Sequence, residues 1–185
     1  MTSTATPEVR IALVFHHARS WDDAFVATNL ELFADYFQIH VLNEGSEGDF
    51  SGVWTEQTVV DGLGVIEDAL AIGTAVNDTV AVSVHVLAEQ PHDDSDDFDH
   101  VVEASLHAPS GRLIVMGCTD YLDDAARFEV PAGWTRARAS RRNLAAAVRW
   151  LESDEEPEAT EQVRLQTWPA PFSAPHIVKR WTQAG

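Results

Sequence analysis

The chain has 185 residues, 45% of them apolar, and thirty acidic against twelve basic side chains, a formal charge of −18. That is enough chain for one domain with a real core, and self-repulsion at this charge excludes nucleic acid and anionic membrane as expected partners. No run of eighteen apolar residues marks a membrane span, and a single cysteine, Cys118, excludes an intramolecular disulfide.

The charge is unevenly placed. Ser20 to Gly111 holds nineteen Asp and Glu and no Lys or Arg, whereas Arg112 to Gly185 holds ten of each sign. Eleven of the twelve basic residues are arginine, which fits a GC-rich genome. The N-terminus, MTSTATPEVR, lacks the pattern of a secretory signal, so a cytoplasmic protein is expected.

In chain order, Val9 to Phe15 reads as a buried strand. His16 and His17 at its end would point to opposite faces and cannot share one metal. Ser20 is placed to cap a short helix, with Trp21 and Phe25 on its inner side. Leu32 to Leu42 reads as one strand, in which Tyr36, Gln38 and His40 alternate with Phe37, Ile39 and Val41. Asn43 to Gly52 is a polar, glycine-rich loop, and the stretch from Trp54 has little pattern. Gly62-Leu63-Gly64 lacks the third glycine of a dinucleotide loop. Leu70–Gly73 and Val80–Leu87 read as strands, with Asn77-Asp78 as a hairpin tip.

The clearest β signal lies between Phe98 and Ser140. Val102, Ala104 and Leu106 are every second residue of a half-buried strand. Pro109-Ser110-Gly111 turns the chain into Leu113–Cys118, apolar enough to be covered on both faces and to hold Cys118 as a small core residue. Arg127–Val130 and Trp134–Ser140 read as a second hairpin around Pro131-Ala132-Gly133. Asn143 to Leu151 reads as a short helix or ragged strand, and Glu152 to Glu161 as an acidic connector. Gln162–Trp168 alternates again, prolines 169, 171 and 175 hold the chain extended, and His176–Trp181 makes a last strand. These elements predict an all-β fold, mainly an antiparallel β-sandwich or flattened barrel, with one or two short helices. The expected division is an N-terminal extension, residues 1–30, and a β-sandwich domain, residues 31–185.

The order of features from Ala34 onward resembles the ComJ family of competence proteins, inhibitors of DNA-entry nucleases. ADYFQIHVLNE resembles the family's opening strand through Tyr36 and Gln38. LAIGTAV with VAVSVHVL resembles its second hairpin, and VEASLHAPSGRLIVMGC with ARFEVPAGWTRARA the central two. QVRLQTWPAPFSAPHIVKRW resembles the C-terminal end of uncharacterised bacterial relatives. The resemblance spans about 145 residues and rests on turns and strand periods. The first thirty residues and the connector from Asn143 to Glu161 have no counterpart in it.

The sequence carries few signatures of chemistry. There is no nucleophile elbow, phosphate loop, zinc-protease helix or Cys-X-X-Cys pair, and no cofactor is expected. The QPHDDSDDFDH loop, residues 90–100, is rich in oxygen ligands but lacks the spacing of a calcium loop, so no metal is expected there. Two readings follow. One is a non-catalytic acidic binding protein, an inhibitor or immunity-like partner of a basic nuclease or toxin. Its expected contact residues are Asp93, Asp94, Asp96, Asp97 and Asp99, with Asp120, Asp123 and Asp124. The other is an enzyme or small-molecule binder with a site at the sandwich mouth near His92, His100 and Asp120.

Overall fold

The computed structural model describes residues 27–151 and 160–182. The expected strand at Val9–Phe15, the helix at Ser20 and most of the acidic connector lie outside them. The described chain is an all-β sandwich with two short helices. One sheet has six strands in the order β1 (Ala27–Phe33), β5 (Thr79–Val86), β10 (Gln162–Pro169), β9 (Gly133–Arg142), β6 (His100–Ala108) and β11 (His176–Lys179). The other has five: β3 (Leu63–Ile66), β4 (Ala69–Gly73), β2 (Gln38–Asn43), β7 (Arg112–Gly117) and β8 (Ala126–Glu129). All ladders run antiparallel except β5 with β10.

The core lies between the sheets and follows the period of two. Ile39, Val41, Leu70, Ile72, Leu113 and Val115 of the five-stranded sheet are fully buried. They belong to one cluster with Val82, Ala104, Leu106, Ala137, Ala139 and Leu165 of the six-stranded sheet. Bulky residues on one sheet thus accompany several alanines on the other, as interdigitation of two twisted sheets requires.

Connections depart from the expected hairpins. Pro109-Ser110-Gly111 joins β6 to β7, and Pro131-Ala132-Gly133 joins β8 to β9, but each pair of strands lies in different sheets. Both turns are corners across the sandwich, and the true partners are β7 with β8 and β6 with β9. Asn77-Asp78 is likewise no hairpin tip, because β4 and β5 belong to different sheets. The single strand expected over Leu32–Leu42 breaks at a 3-10 turn, Asp35–Phe37, where the chain crosses from one sheet to the other. Each segment carries the right alternation, but alternation cannot tell which sheet receives it.

The unpatterned stretch after Trp54 contains α1 (Glu56–Asp61). Thr55 caps it, its hydroxyl accepting from the Thr58 amide while Thr58 reaches back to the Thr55 amide. Gly62 ends it at φ 61°. Asn143–Leu151 resolves as a helix, α2 (Leu144–Leu151).

Both outer faces are roofed, in different ways. Over the five-stranded sheet, Phe50, Val53 and Trp54 pack against Ala71, Ile114 and Met116. His40 lies under this roof, its ring 4.6 Å from that of Phe50. Burial pushes the imidazole down to about 4, so it is neutral in the fold at neutral pH. Over the six-stranded sheet the roof is polar, which makes β6 buried on both faces rather than half-buried.

At one end, a buried ion pair ties the chain together. Arg141 Nε donates to Glu161 Oε1 at 2.8 Å, and Glu161, with no exposure, also accepts from the Ala75 amide. β9, the start of β10 and the β4–β5 crossover therefore share one carboxylate.

Two predictions follow from this packing. Arg141→Ala leaves a buried carboxylate without its cation and should cost about 3–5 kcal/mol, whereas Arg141→Met with Glu161→Leu should recover much of it; urea unfolding measures both. His40 has its folded pKa below its unfolded value, so the unfolded chain binds more protons between pH 6.5 and about 4. Stability should fall as pH drops through that window. His40→Gln should remove about 2 kcal/mol of the fall, a figure reduced for partial solvent access.

Candidate functional site

The acidic loop between β5 and β6 is not a free solvated loop. It runs back along the outer face of the six-stranded sheet as a strap, because the strands beneath present arginines. In β10, Arg164 and Gln166 point outward opposite the buried Val163 and Leu165, and in β9 Arg136 and Arg138 do the same. Arg164 holds Asp94 through two bonds of 2.6 Å and lies 4.2 Å from the ring centre of Phe98. Arg138 donates to the His92 carbonyl and, at 2.6 Å, to buried Glu103. Lys179 donates to the carbonyls of Ser95 and Asp96. A second roof segment, between β10 and β11, is held by Arg136 on the Pro171 carbonyl and by Ser105.

The five aspartates of the strap therefore play different parts. The Arg164 guanidinium keeps the Asp94 carboxyl below its ordinary value. Asp93 accepts from the Ser95 amide, which lowers its pKa too, while its carboxylate stays exposed. Asp99 accepts from the Leu144 amide and so anchors the N-terminus of α2. Asp96 and Asp97 are exposed, in the first turn of a short 3-10 segment, Ser95–Asp97.

The remaining three expected contact residues lie elsewhere, on the loop between β7 and β8. Asp120 accepts from the Gly117 amide at 2.7 Å and shapes the loop. Asp123 and Asp124 are exposed in a 3-10 turn, Leu122–Asp124, and Arg127 fixes this turn by donating to the carbonyls of Leu122, Asp123 and Ala125. Cys118 sits just beyond β7, half-buried rather than in the core, its thiol donating to the Asp35 carbonyl at 3.0 Å. Burial raises its pKa and leaves little thiolate.

That thiol contact brings in a segment for which the sequence offered no functional reading. Tyr36 and Phe37 both have positive φ, 52° and 59°, in the corner between β1 and β2. Left-handed backbone costs a bulky residue about 1–2 kcal/mol, and no residue of this turn is buried to offset it. An open groove of about 1320 Å³ flanks β1, and its lining includes Glu31, Ser83, Asp120 and Tyr121 together with Arg142 and Arg164.

The three residues of the expected mouth have separate partners. His92 is exposed on the strap, and Asp120 serves its own loop. His100 is buried, with Nε2–H donating to the Asp61 carbonyl and Nδ1 accepting from the Trp181 amide. Burial, first, keeps its pKa low, in keeping with this neutral tautomer. Among the described residues, no three of His, Cys, Asp and Glu are grouped to hold a metal ion.

The strap's dependence on charge is testable. Asp94→Asn should let the amides of Ser95 and Asp97 exchange about tenfold faster, at a cost of about 1 kcal/mol in global stability. Hydrogen-exchange mass spectrometry reads the first and denaturant unfolding the second.

No protein-family model matches the chain, and no curated protein matches it significantly. Two solved structures share its fold. The crystal structure of ComJ from Bacillus subtilis, inhibitor of the DNA degrading activity of NucA, aligns over 79% of this chain and 98% of its own with a TM-score of 0.60 and 13% identity. A protein described as crocagin biosynthetic gene J aligns over 80% of this chain and 99% of its own with a TM-score of 0.52 and 14% identity. The chain is thus similar in fold to ComJ, at a sequence identity that speaks to architecture alone.

Proposed function

We propose that the chain is a non-catalytic binding protein that engages a basic protein partner, a nuclease or toxin, and inhibits it. The carrying observation is a carboxylate surplus with a defined origin. Of the nineteen carboxylates between Ser20 and Gly111, Glu44, Asp61, Asp94 and Glu103 are matched by arginines of the C-terminal half. Exposed ones such as Asp93, Asp96 and Asp97 remain to project a negative field. A field of this kind steers a basic partner over about a Debye length, about 8 Å at physiological salt. The fold shared with ComJ, which inhibits the DNA degrading activity of NucA, supports the inhibitory form of this reading. An immunity-like role in the cytoplasm of a bacterium fits the same chemistry.

The test begins with capture on the immobilised chain from the host, followed by purification of the captured protein. Its charge should be basic, and the chain should suppress its nuclease or toxic activity. Association should slow steeply as salt rises, while dissociation changes less. Asp93→Asn, Asp96→Asn and Asp97→Asn together keep size and hydrogen bonding and spare Asp94 and Asp99, which hold the strap and α2. That variant should associate on the order of tenfold more slowly at low salt, with stability unchanged. An on-rate indifferent to both salt and substitution would show that the acidity serves solubility alone.

A further inference from the structure

Among the described residues, five of the nine exposed large apolar side chains come from two segments that meet at one corner, the others being Val59, Val60, Val86 and Phe172. Phe33, Tyr36 and Phe37 come from the end of β1 and the turn after it, and Tyr121 and Leu122 from the loop between β7 and β8. The two segments meet where Cys118 Sγ–H donates to the Asp35 carbonyl, and where Gly117 lies so close to the Phe33 carbonyl that a side chain there would collide with it. Tyr36 and Tyr121 are the only two tyrosines in the chain, and they are 73% and 83% exposed. Rings at this exposure gain nothing from the core. The left-handed backbone at Tyr36 and Phe37 is a strain that the fold carries without burying either ring.

The rim of this corner is acidic. Glu31 and Asp35 flank the first segment, and Asp120, Asp123 and Asp124 lie along the second. The cation closest in sequence to the three aspartates of the second segment, Arg127, is already bonded to three carbonyls of that loop and to Glu44. Aromatic faces beside carboxylates are complementary to one class of group, a guanidinium or ammonium: the ring offers its negative face and the carboxylate its charge. An exposed patch of this composition marks a protein contact.

We infer that the Tyr36–Tyr121 corner is the docking surface for arginine side chains of the basic partner, with the strap serving to steer and the corner to hold. The inference rests on the binding-protein reading above and adds the location and the side-chain chemistry of the contact.

The experiment labels the full-length chain with 3-fluorotyrosine, which places two fluorine signals, both in the corner; Tyr36→Phe and Tyr121→Phe assign them. The probe is octa-arginine at physiological salt, with octa-lysine as comparison. Both signals should show a solvent isotope shift in the free chain and should move saturably with octa-arginine, at about threefold higher affinity than with octa-lysine, since guanidinium stacks on rings. Equal affinity for the two peptides would overturn the part given to the rings. Unmoved fluorines with backbone amide shifts confined to Asp93–Asp97 would overturn the location and leave the acidic-binding reading standing. No response to either peptide would overturn both. Fluorines already shielded in the free chain would give the corner another occupant, a second copy if dilution exposes them and this chain's own residues if it does not.

Discussion

A carboxylate without solvent needs a cation at hand, and this requirement organises the larger sheet. Glu103 is almost fully buried on the outward face of β6, and an unpaired charge there would cost several kcal/mol. Its neighbours on β9 across the ladder are Arg136 and Arg138, and both reach it. Those arginines have donors to spare, which go to the carbonyls of His92 and Pro171 and so draw two otherwise irregular segments over the sheet. Arg164 extends the same logic to Asp94. One buried acid thus leads to a roof made of chain that has little apolar surface of its own.

The contrast with the other sheet shows what this arrangement allows. Phe50 and Trp54 cover the five-stranded sheet by ordinary apolar packing, and nothing about that roof needs charge. The strap, held through its backbone and through Asp94, can keep Asp96 and Asp97 outside. A segment secured by apolar side chains would have to turn them inward, whereas this one is secured by carbonyls and leaves side chains to the solvent. The negative half of the sequence is therefore both neutralised from beneath and displayed above.

Strand positions were legible because they depend on local alternation: the inward residues Val102, Ala104 and Leu106 of β6, Ala137 and Ala139 of β9, and Val163 and Leu165 of β10 follow it, although covering segments bury much of the other face as well. Partners were not legible. Pro109-Ser110-Gly111 has the chemistry of a turn whether the chain returns beside its own strand or steps across a sandwich about 10 Å thick. The α1 cap was concealed because Thr58 performs the task usually given to Glu or Gln. At the candidate surface, composition pointed to the Asp93–Asp99 cluster but could not divide it into Asp94 and Asp99, which are engaged, and Asp96 and Asp97, which face outward. That division is set by Arg164 and Leu144, 70 and 45 residues away. The corner at Tyr36 was hidden for a related reason. In sequence it continues an alternating strand, and only the positive φ and the distant Cys118 reveal a bend.

The parallel pairing of β5 with β10 has a consequence for the order in which the chain folds. Ala81 lies beside Gln162, and among the described residues β1 joins the larger sheet through β5 alone. During synthesis, β1 and β5 can form a ribbon as soon as they leave the ribosome, and β6 to β9 can assemble the middle of the sandwich. The ribbon has no further neighbour within its own sheet until β10 has emerged, since β10 is the strand that stands between it and β9. Loop closure over that distance precedes the contacts that reward it, so folding should be slow for a domain of this size. Until then β5 presents an unpaired edge in which valines alternate with Thr, Ala, Ser and His and no charge stands, the kind of edge that can pair with the wrong chain.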